Sequence, residues 1–293
     1  MIIASSVTKK FGKLVALKDV SVKCNRGECI ALIGPNGSGK TTLLGIIMDV
    51  LKATAGGYKI FGEEPTSDQR KQIGTLLETP NFYHYLSAVQ NLKIAAAIKE
   101  RGEDDIDRVL QVVDLTARKN SKFTSYSLGM KQRLAIGSAL LGDPDVLVFD
   151  EPTNGLDPVG IAEIRELIKK LSQQGKTIIM ASHLLDEVEK VCTHVAILKQ
   201  GTLITHGDVN EILVNEDLVE VSASDLTHLK NTLSQMPGVS KIDISDKVVR
   251  VFLPSGTADL AAVNKYCFNN NITLSHLQLK KKSLETKFFE LTN

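Results

Sequence analysis

The feature that most constrains this chain is Gly34-Pro35-Asn36-Gly37-Ser38-Gly39-Lys40-Thr41, which satisfies the spacing G-x-x-x-x-G-K-[ST]. Glycines at those places let successive backbone N–H groups turn inward around phosphate oxygens, and a following helix adds the positive end of its dipole. The lysine supplies a point charge for the terminal phosphates, and the threonine hydroxyl is a hard oxygen ligand suited to Mg2+. Such a loop works between a strand and a helix, and both are legible. Cys29-Ile30-Ala31-Leu32-Ile33 is a β-prone run ahead of it, and Thr42 to Leu51 reads as a helix after it. These features imply a phosphate-binding α/β core, with Gly34, Pro35, Asn36, Gly37, Ser38, Gly39, Lys40, Thr41 and Thr42 as candidate ligand-binding residues.

Further along, Val146-Leu147-Val148-Phe149 is a continuous apolar run suited to a strand buried on both faces of a parallel sheet. Asp150 closes it and Glu151 is next. An aspartate at a strand's carboxyl end can hold Mg2+, and the next carboxylate can orient and polarise a water that attacks a phosphate. A helix (Val159 to Ser172), a strand (Thr177 to Met180), a helix (Leu184 to Cys192) and a strand (Val195 to Leu198) continue the alternation that makes a parallel sheet. Between Asn81 and Leu141 the pattern is mostly helical, with helices expected over Ser87 to Glu100, Asp104 to Val113 and Gly129 to Leu141. In the first third, Val20 to Val22 is a further short strand.

Near Glu211 to Asp217 the rhythm breaks. The order there is strand (Leu218 to Ser222), helix (Leu226 to Gln235), two strands (Ser240 to Ile244, Val248 to Leu253), helix (Ala258 to Asn269) and strand (Ile272 to Leu279). That β-α-β-β-α-β order is the ferredoxin-like pattern, and a helix over Ser283 to Leu291 comes after it. The expected organisation is a nucleotide-binding domain over residues 1–215, with a helical subdomain at about 81–141, and a small α+β accessory domain over 216–293.

Composition removes competing classes. The 293 residues carry 35 Lys+Arg against 34 Asp+Glu, a net charge of +1, without the basic excess of a nucleic-acid-wrapping surface. The 83 residues from Glu211 onward hold nine Lys+Arg and ten Asp+Glu, so no basic patch is visible there either. No apolar run approaches the ~18–20 residues of a membrane span, and Met1-Ile2-Ile3-Ala4 turns polar too soon for a leader-peptide core. Cys24, Cys29, Cys192 and Cys267 are scattered, without the close spacing of a zinc site or disulfide framework, and read as buried reduced thiols.

Tyr126-Ser127-Leu128-Gly129-Met130-Lys131-Gln132-Arg133 resembles the ABC signature (LSGGQ and its variants). Asn154-Gly155-Leu156-Asp157-Pro158 resembles the family's D-loop, Ser182-His183 its switch histidine, and Phe11 stands where an aromatic residue stacks on adenine. Residues 2 to about 210 are thus similar to an ABC-transporter nucleotide-binding subunit. The resemblance implies a phosphate-loop NTPase core with a parallel sheet, an antiparallel β subdomain and a helical subdomain, ATP and Mg2+ as ligands, and a head-to-tail homodimer or heterodimer of such domains around two ATP molecules. It implies that Glu151 is general base, that His183 holds the γ-phosphate and attacking water, and that Thr41 and Asp150 hold Mg2+. Ser127 and Gly129 would meet the partner's ATP, and Asp157 the dimer interface.

Two positions depart from the family pattern. Glu78 stands where the Q-loop glutamine is usual, and is carried over as a metal and catalytic candidate; Leu128 replaces the first signature glycine. Together with Glu78-Thr79-Pro80-Asn81-Phe82-Tyr83 and the ending Phe288-Phe289-Glu290-Leu291, they resemble the ATPases of bacitracin- and lantibiotic-resistance exporters of the ABC-2, multidrug type. The resemblance implies an ATPase on the cytoplasmic face of a membrane, bound to a separate permease, with Phe82, Tyr83 and Tyr85 near the surface receiving it. The alternatives are a soluble ABC ATPase acting on ribosomes or nucleic acid, and an importer ATPase. The first is disfavoured by the single phosphate loop and by only 110 residues between Lys40 and Asp150, too few for a long coiled-coil insertion.

Overall fold

Alternating buried and exposed side chains shape the first strands. β1 (Ile2–Phe11) and β2 (Leu14–Cys24) form an antiparallel hairpin whose Val7, Leu17, Val20 and Val22 point inward while Lys10, Lys18 and Lys23 stay in water. Three register shifts break the alternation in β1, which hides the strand from a search for strict period two. β3 (Cys29–Ile33) is buried along its whole length and delivers the chain to the glycine-rich loop and α1 (Lys40–Ile47). The helix ends four residues before the expected Leu51, because Asp49 adopts φ 60° and the N–H groups of Val50 and Leu51 turn back to the Gly45 carbonyl. β4 (Ala55–Ile60) then returns to β1, completing a three-stranded sheet in the order β2-β1-β4. The structure, a computed structural model, describes all residues except 1, 78–80, 214–216, 246, 255, 281–283, 286 and 289–293.

A short helix, α2 (Ser67–Lys71), precedes β5 (Ile73–Leu76). Next come α3 (Ala88–Lys99), with a Ser87–Gln90 capping box, α4 (Ile106–Val112) and α5 (Leu128–Leu140). β6 (Val146–Asp150), α6 (Pro158–Gln173), β7 (Thr177–Ala181), α7 (Leu185–Val191), β8 (His194–Lys199) and β9 (Thr202–Asp208) complete a six-stranded sheet in the order β5-β6-β7-β3-β8-β9. The pairs among β5, β6, β7, β3 and β8 are parallel. β3, β6 and β7 are buried at every position, so the apolar runs in the sequence report strands covered on both faces.

The chain divides into two compact units, Met1–Gly207 and Asp208–Asn293. The division lies ahead of the boundary expected at residue 216, because the short helix α8 (Val209–Leu213), which precedes the first recognisable strand pattern, groups with the second unit. In that unit β10 (Asp217–Ala223), α9 (Leu226–Leu233), β11 (Lys241–Ser245), β12 (Val248–Leu253), α10 (Leu260–Asn269) and β13 (Leu274–Lys280) succeed one another. Its antiparallel sheet has the order β11-β12-β10-β13, the arrangement of a split β-α-β motif. Val219, Val221, Val249 and Val251 pack against Leu229, Leu233, Val263 and Cys267. The helix expected over 283–291 lies largely outside the described residues. All four cysteines are buried and unbridged, although Cys29 and Cys192, distant in sequence, bring their sulfurs to 3.5 Å.

Three cations converge on the carboxyl end of α5. Lys99 Nζ donates to the carbonyls of Ser138 (2.8 Å) and Ala139 (3.2 Å), Arg108 donates to that of Leu140, and Arg101 to that of Gly142. Helix carboxyl ends carry unsatisfied carbonyls and partial negative charge, so this arrangement fixes α5 from behind. Burial, aided by the charge of Arg101, pushes the Lys99 amine down from 10.5 to about 8. Between those two values the unfolded chain binds more protons than the folded one, so this group's contribution to stability rises with pH there. The stability advantage of the wild type over Lys99→Met, read from urea midpoints, is therefore expected to grow from pH 8 to pH 10; a flat difference would contradict the burial of this amine.

Candidate functional site

The loop after β3 closes on itself before α1 begins. The Ser38 N–H donates to the Pro35 carbonyl at 3.1 Å, and Gly39 takes φ 104° as the residue that starts the helix. A Cβ there would lie 2.7 Å from Leu17 Cδ2 and 2.8 Å from the Ala16 carbonyl oxygen, so both conformation and space require glycine. At Gly34 a side chain would run into the Leu198 carbonyl and the Ser38 hydroxyl. No side chain caps α1, which leaves its first N–H groups for an anion held by the loop.

Lys40 is 7% exposed, and its ammonium donates to the carbonyls of Gly34 (2.8 Å) and Pro35 (3.3 Å). Burial lowers its pKa, while the nearby carboxylates of Glu151 and Asp150 pull the other way. Those carboxylates arrive from β6 through strand register. In the sheet β7 lies between β3 and β6, and its last residue, Ala181, pairs with Leu32 on one side and Asp150 on the other. The Glu151 N–H donates to the Ala181 carbonyl (3.1 Å), and the Ser182 N–H to that of Leu32 (3.2 Å). Three strands thus end level, and the segments that leave them face the same place.

Glu151 adopts φ 49°, a left-handed conformation unusual for a non-glycine residue. Its carboxylate oxygen lies 2.7 Å from His183 Nδ1, the side chains being 22% and 48% exposed. A carboxylate held against an imidazole in this way has its orientation set by the ring, and the ring's other nitrogen is left for a third group.

A cavity of about 520 Å³ lies along the loop. Phe11, Leu14, Val15 and Ala16 give it an apolar lining; Asn36, Gly37, Ser38, Gly39, Lys40, Thr41 and Thr42 form the loop wall, and Glu151 and Gln200 complete it. Of the sequence candidates, Phe11, the loop from Asn36 to Thr42 and Glu151 therefore share one cavity. Gly34 and Pro35 lie behind it holding Lys40, His183 is joined through Glu151, and Asp150 ends its strand 1% exposed. Ser127, Gly129 and Asp157 do not line it: Ser127 caps α5 by accepting from the Met130 N–H, Gly129 sits in the first turn, and Asp157 caps α6 by accepting from the Gly160 N–H. Leu128, half exposed, reaches toward Gly155. Glu78 lies outside the described residues. Leu14, Val15, Ala16 and Gln200 were not among the sequence candidates; the turn signal Gln200-Gly201 after an apolar strand was the one available hint of the last.

A second cavity, of about 460 Å³, is lined by Asn81, Phe82, Tyr83, Asn91, Ile94, Ala95, Ile98 and Ser138. Asn91, 2% exposed, accepts from the Tyr83 N–H and donates to the Tyr83 carbonyl, which fixes the aromatic segment onto α3. Phe82 packs edge-on to Phe123, whereas Tyr83, Tyr85 and Ile98 remain exposed.

Residues 17–154 match the family model described as ABC transporter. The chain is 33% identical over 294 residues to the bacitracin transport ATP-binding protein BcrA of Bacillus licheniformis, covering 98% of this chain and 95% of that one. It is 37% identical over 204 residues to the lantibiotic transport ATP-binding protein SrtF of Streptococcus pyogenes, covering 70% and 89% respectively. Among solved structures, a dimeric ATP-binding cassette in a post-hydrolysis state with ADP and phosphate superposes with a TM-score of 0.63 at 29% identity, covering 71% of this chain and 99% of that one. The chain belongs to the ABC transporter ATP-binding proteins. It is an ATP-binding, ATP-hydrolysing subunit of that family.

Gly39→Ala forces a side chain into a left-handed position already filled by Leu17. A loss of about 1–3 kcal/mol in urea unfolding is expected, together with loss of ATP binding in equilibrium dialysis. Wild-type stability and affinity in that variant would contradict this loop geometry.

Proposed function

We propose that the chain drives export of a peptide antibiotic through a separate membrane permease, hydrolysing ATP between two copies of its nucleotide-binding domain. The observation that carries the hydrolytic part is that Lys40 and Glu151 line one cavity, with His183 held 2.7 Å from the Glu151 carboxylate. Cargo rests on the names of two relatives, a bacitracin and a lantibiotic transport ATP-binding protein, and direction on the subgroup resemblance carried by Glu78 and Leu128. The unit Met1–Gly207 is the motor, with about 81–141 its helical subdomain, and the unit Asp208–Asn293 is an accessory domain.

In this reading Phe11 stacks on the base, the 34–42 loop wraps the phosphates, and Lys40 leaves its own loop carbonyls for the γ-phosphate. Glu151 accepts the proton of the attacking water, and His183 orients that water and the γ-phosphate. Ser127 and Gly129 at the amino end of α5 meet the γ-phosphate bound by the other copy, where helix-terminal N–H groups favour an anion. Asp157 contacts the other copy across the dimer interface.

The donor set fits Mg2+. Thr41 lies on the cavity wall, Asp150 lies near Lys40, and both are hard oxygen ligands. Mg2+ commonly keeps several waters and is held by one or two protein oxygens together with substrate phosphates, so Thr41 and Asp150 would suffice as the protein's share of the ligands. Glu78 is a further ligand candidate. When bound, Mg2+ neutralises charge on the phosphates.

Among the described residues no helix is long and apolar enough to cross a membrane, so the permease is a separate chain in this reading. The groove beside Phe82, Tyr83 and Ile98 receives it: exposed aromatic and aliphatic side chains on a rigid support are what an interface anchor requires. The protein then works at the cytoplasmic face of the membrane.

In Glu151→Gln, ATP turnover is expected to fall about 10²–10⁴-fold while ATP binding persists, and size-exclusion chromatography with ATP should show an accumulated dimer. Turnover within twofold of wild type would overturn the general-base assignment. Tyr83→Ala with Ile98→Ser should retain ATPase activity but lose co-purification with a multi-span membrane protein from detergent extracts; unchanged recovery would exclude this groove as the docking site.

A further inference from the structure

The cavity contains one polar side chain that neither the phosphate loop nor the hydrolytic pair uses. Among its described lining residues, Gln200 is the sole polar side chain apart from the loop and Glu151. It belongs to the two-residue turn joining β8 to β9, where Gln200 and Gly201 both have positive φ, 49° and 76°. Turns of that kind favour asparagine, aspartate or glycine at the first position, so a glutamine held there is conformationally disfavoured.

Its surroundings hold it. The Gly201 N–H donates to the Ser38 carbonyl at 3.0 Å, and the Lys18 N–H donates to the Gly201 carbonyl at 2.8 Å. The turn is thereby joined to the phosphate loop on one side and to β2 on the other. A Cβ at Gly201 would lie 2.6 Å from the Ala16 carbonyl oxygen, the same oxygen that crowds Gly39 of the loop. Ala16 thus marks the level of the turn along β2. Leu14, which pairs with Phe11 across the hairpin, is two residues further out, roughly 7 Å at the rise of a strand. The turn accordingly adjoins the phosphate loop, on the side where β2 leads two residues on to the aromatic end of the cavity.

We propose that Gln200 recognises the sugar of the bound nucleotide, its carboxamide hydrogen-bonding the ribose hydroxyls. The inference rests on ATP occupying this cavity with its base at Phe11. Base, sugar and phosphates are joined in that order, so the group between the two ends is the ribose. A carboxamide suits it because the oxygen accepts from a hydroxyl and the NH2 donates to one. One neutral hydrogen bond of this kind corresponds to about a fivefold change in affinity.

The test measures equilibrium binding of ATP, 2′-deoxy-ATP, 3′-deoxy-ATP and GTP to the full chain and to Gln200→Ala and Gln200→Asn. Asparagine suits the left-handed turn and withdraws the amide by one methylene, so loss of discrimination in both variants, with thermal midpoints no lower for asparagine, separates recognition from turn collapse. We expect the wild type to bind at least one deoxy analogue about fivefold more weakly than ATP, and both variants to bind ATP and that analogue alike. Wild-type indifference to both hydroxyls, or discrimination that survives in both variants, overturns the proposal. A change in ATP-over-GTP preference with the deoxy ratios intact also overturns it, and assigns Gln200 to the base edge. Lys40→Ala should weaken all four nucleotides together; a wild type that binds none of them refutes the ATP reading itself, a result distinct from failure of the sugar contact.

Discussion

The placement of β7 between β3 and β6 is the constraint on which the rest of this structure depends. In chain order β3 and β6 are separated by the three-stranded sheet's last strand, the helical region and β5, yet Ala181 hydrogen-bonds into the ladders of both neighbours at one level. Parallel strands deliver their carboxyl ends to the same edge, and ligands gather where those ends open. The phosphate loop, the Asp150-Glu151 pair and His183 each leave the sheet at that edge. Their proximity is a property of register, which a slip of one residue would abolish by turning every side chain to the opposite face.

Two non-glycine residues with left-handed backbone line the same cavity. Glu151 and Gln200 are non-glycine residues at φ 49°, and each is held by backbone hydrogen bonds to a neighbouring strand or loop: Glu151 to Ala181, and the Gln200-Gly201 turn to Ser38 and Lys18. Residues held in such conformations persist where surroundings over-determine them. A different anchoring serves α5, whose amino end carries the signature serine and whose carboxyl end is met by Lys99, Arg101 and Arg108. The helix is fixed from behind, leaving its amino end facing outward.

Sequence reading was most accurate where one local signal sufficed. The apolar runs Cys29–Ile33 and Val146–Phe149 lie in fully buried strands, and the segments expected to be helical from Ser87, Gly129 and Val159 are helices, capped by Ser87, Ser127 and Asp157. It was weakest in the polar antiparallel sheet, where β1 passed unnoticed because its register shifts break the period-two pattern, and at β5, whose four residues are too few to show a period. It placed Phe11, the loop and Glu151 among its candidates through motif and resemblance. Leu14, Val15, Ala16 and Gln200 escaped it, because they reach the cavity through the hairpin and through a turn on a distant strand, and neither carries a motif.

By itself the sequence determined the chemistry: a phosphate-binding loop needs its glycines, lysine and threonine in a fixed local order, and local order is what a sequence displays. Strand order was decided by tertiary structure alone. β7 entered between β3 and β6 because each of the three strands is buried on both faces and finds its partners through long-range hydrogen bonds. Those bonds brought the phosphate loop and the Glu151–His183 pair to one edge across more than a hundred residues of intervening chain, while hydrogen bonds joining Gly201 to Ser38 and Lys18 set Gln200 on the same cavity.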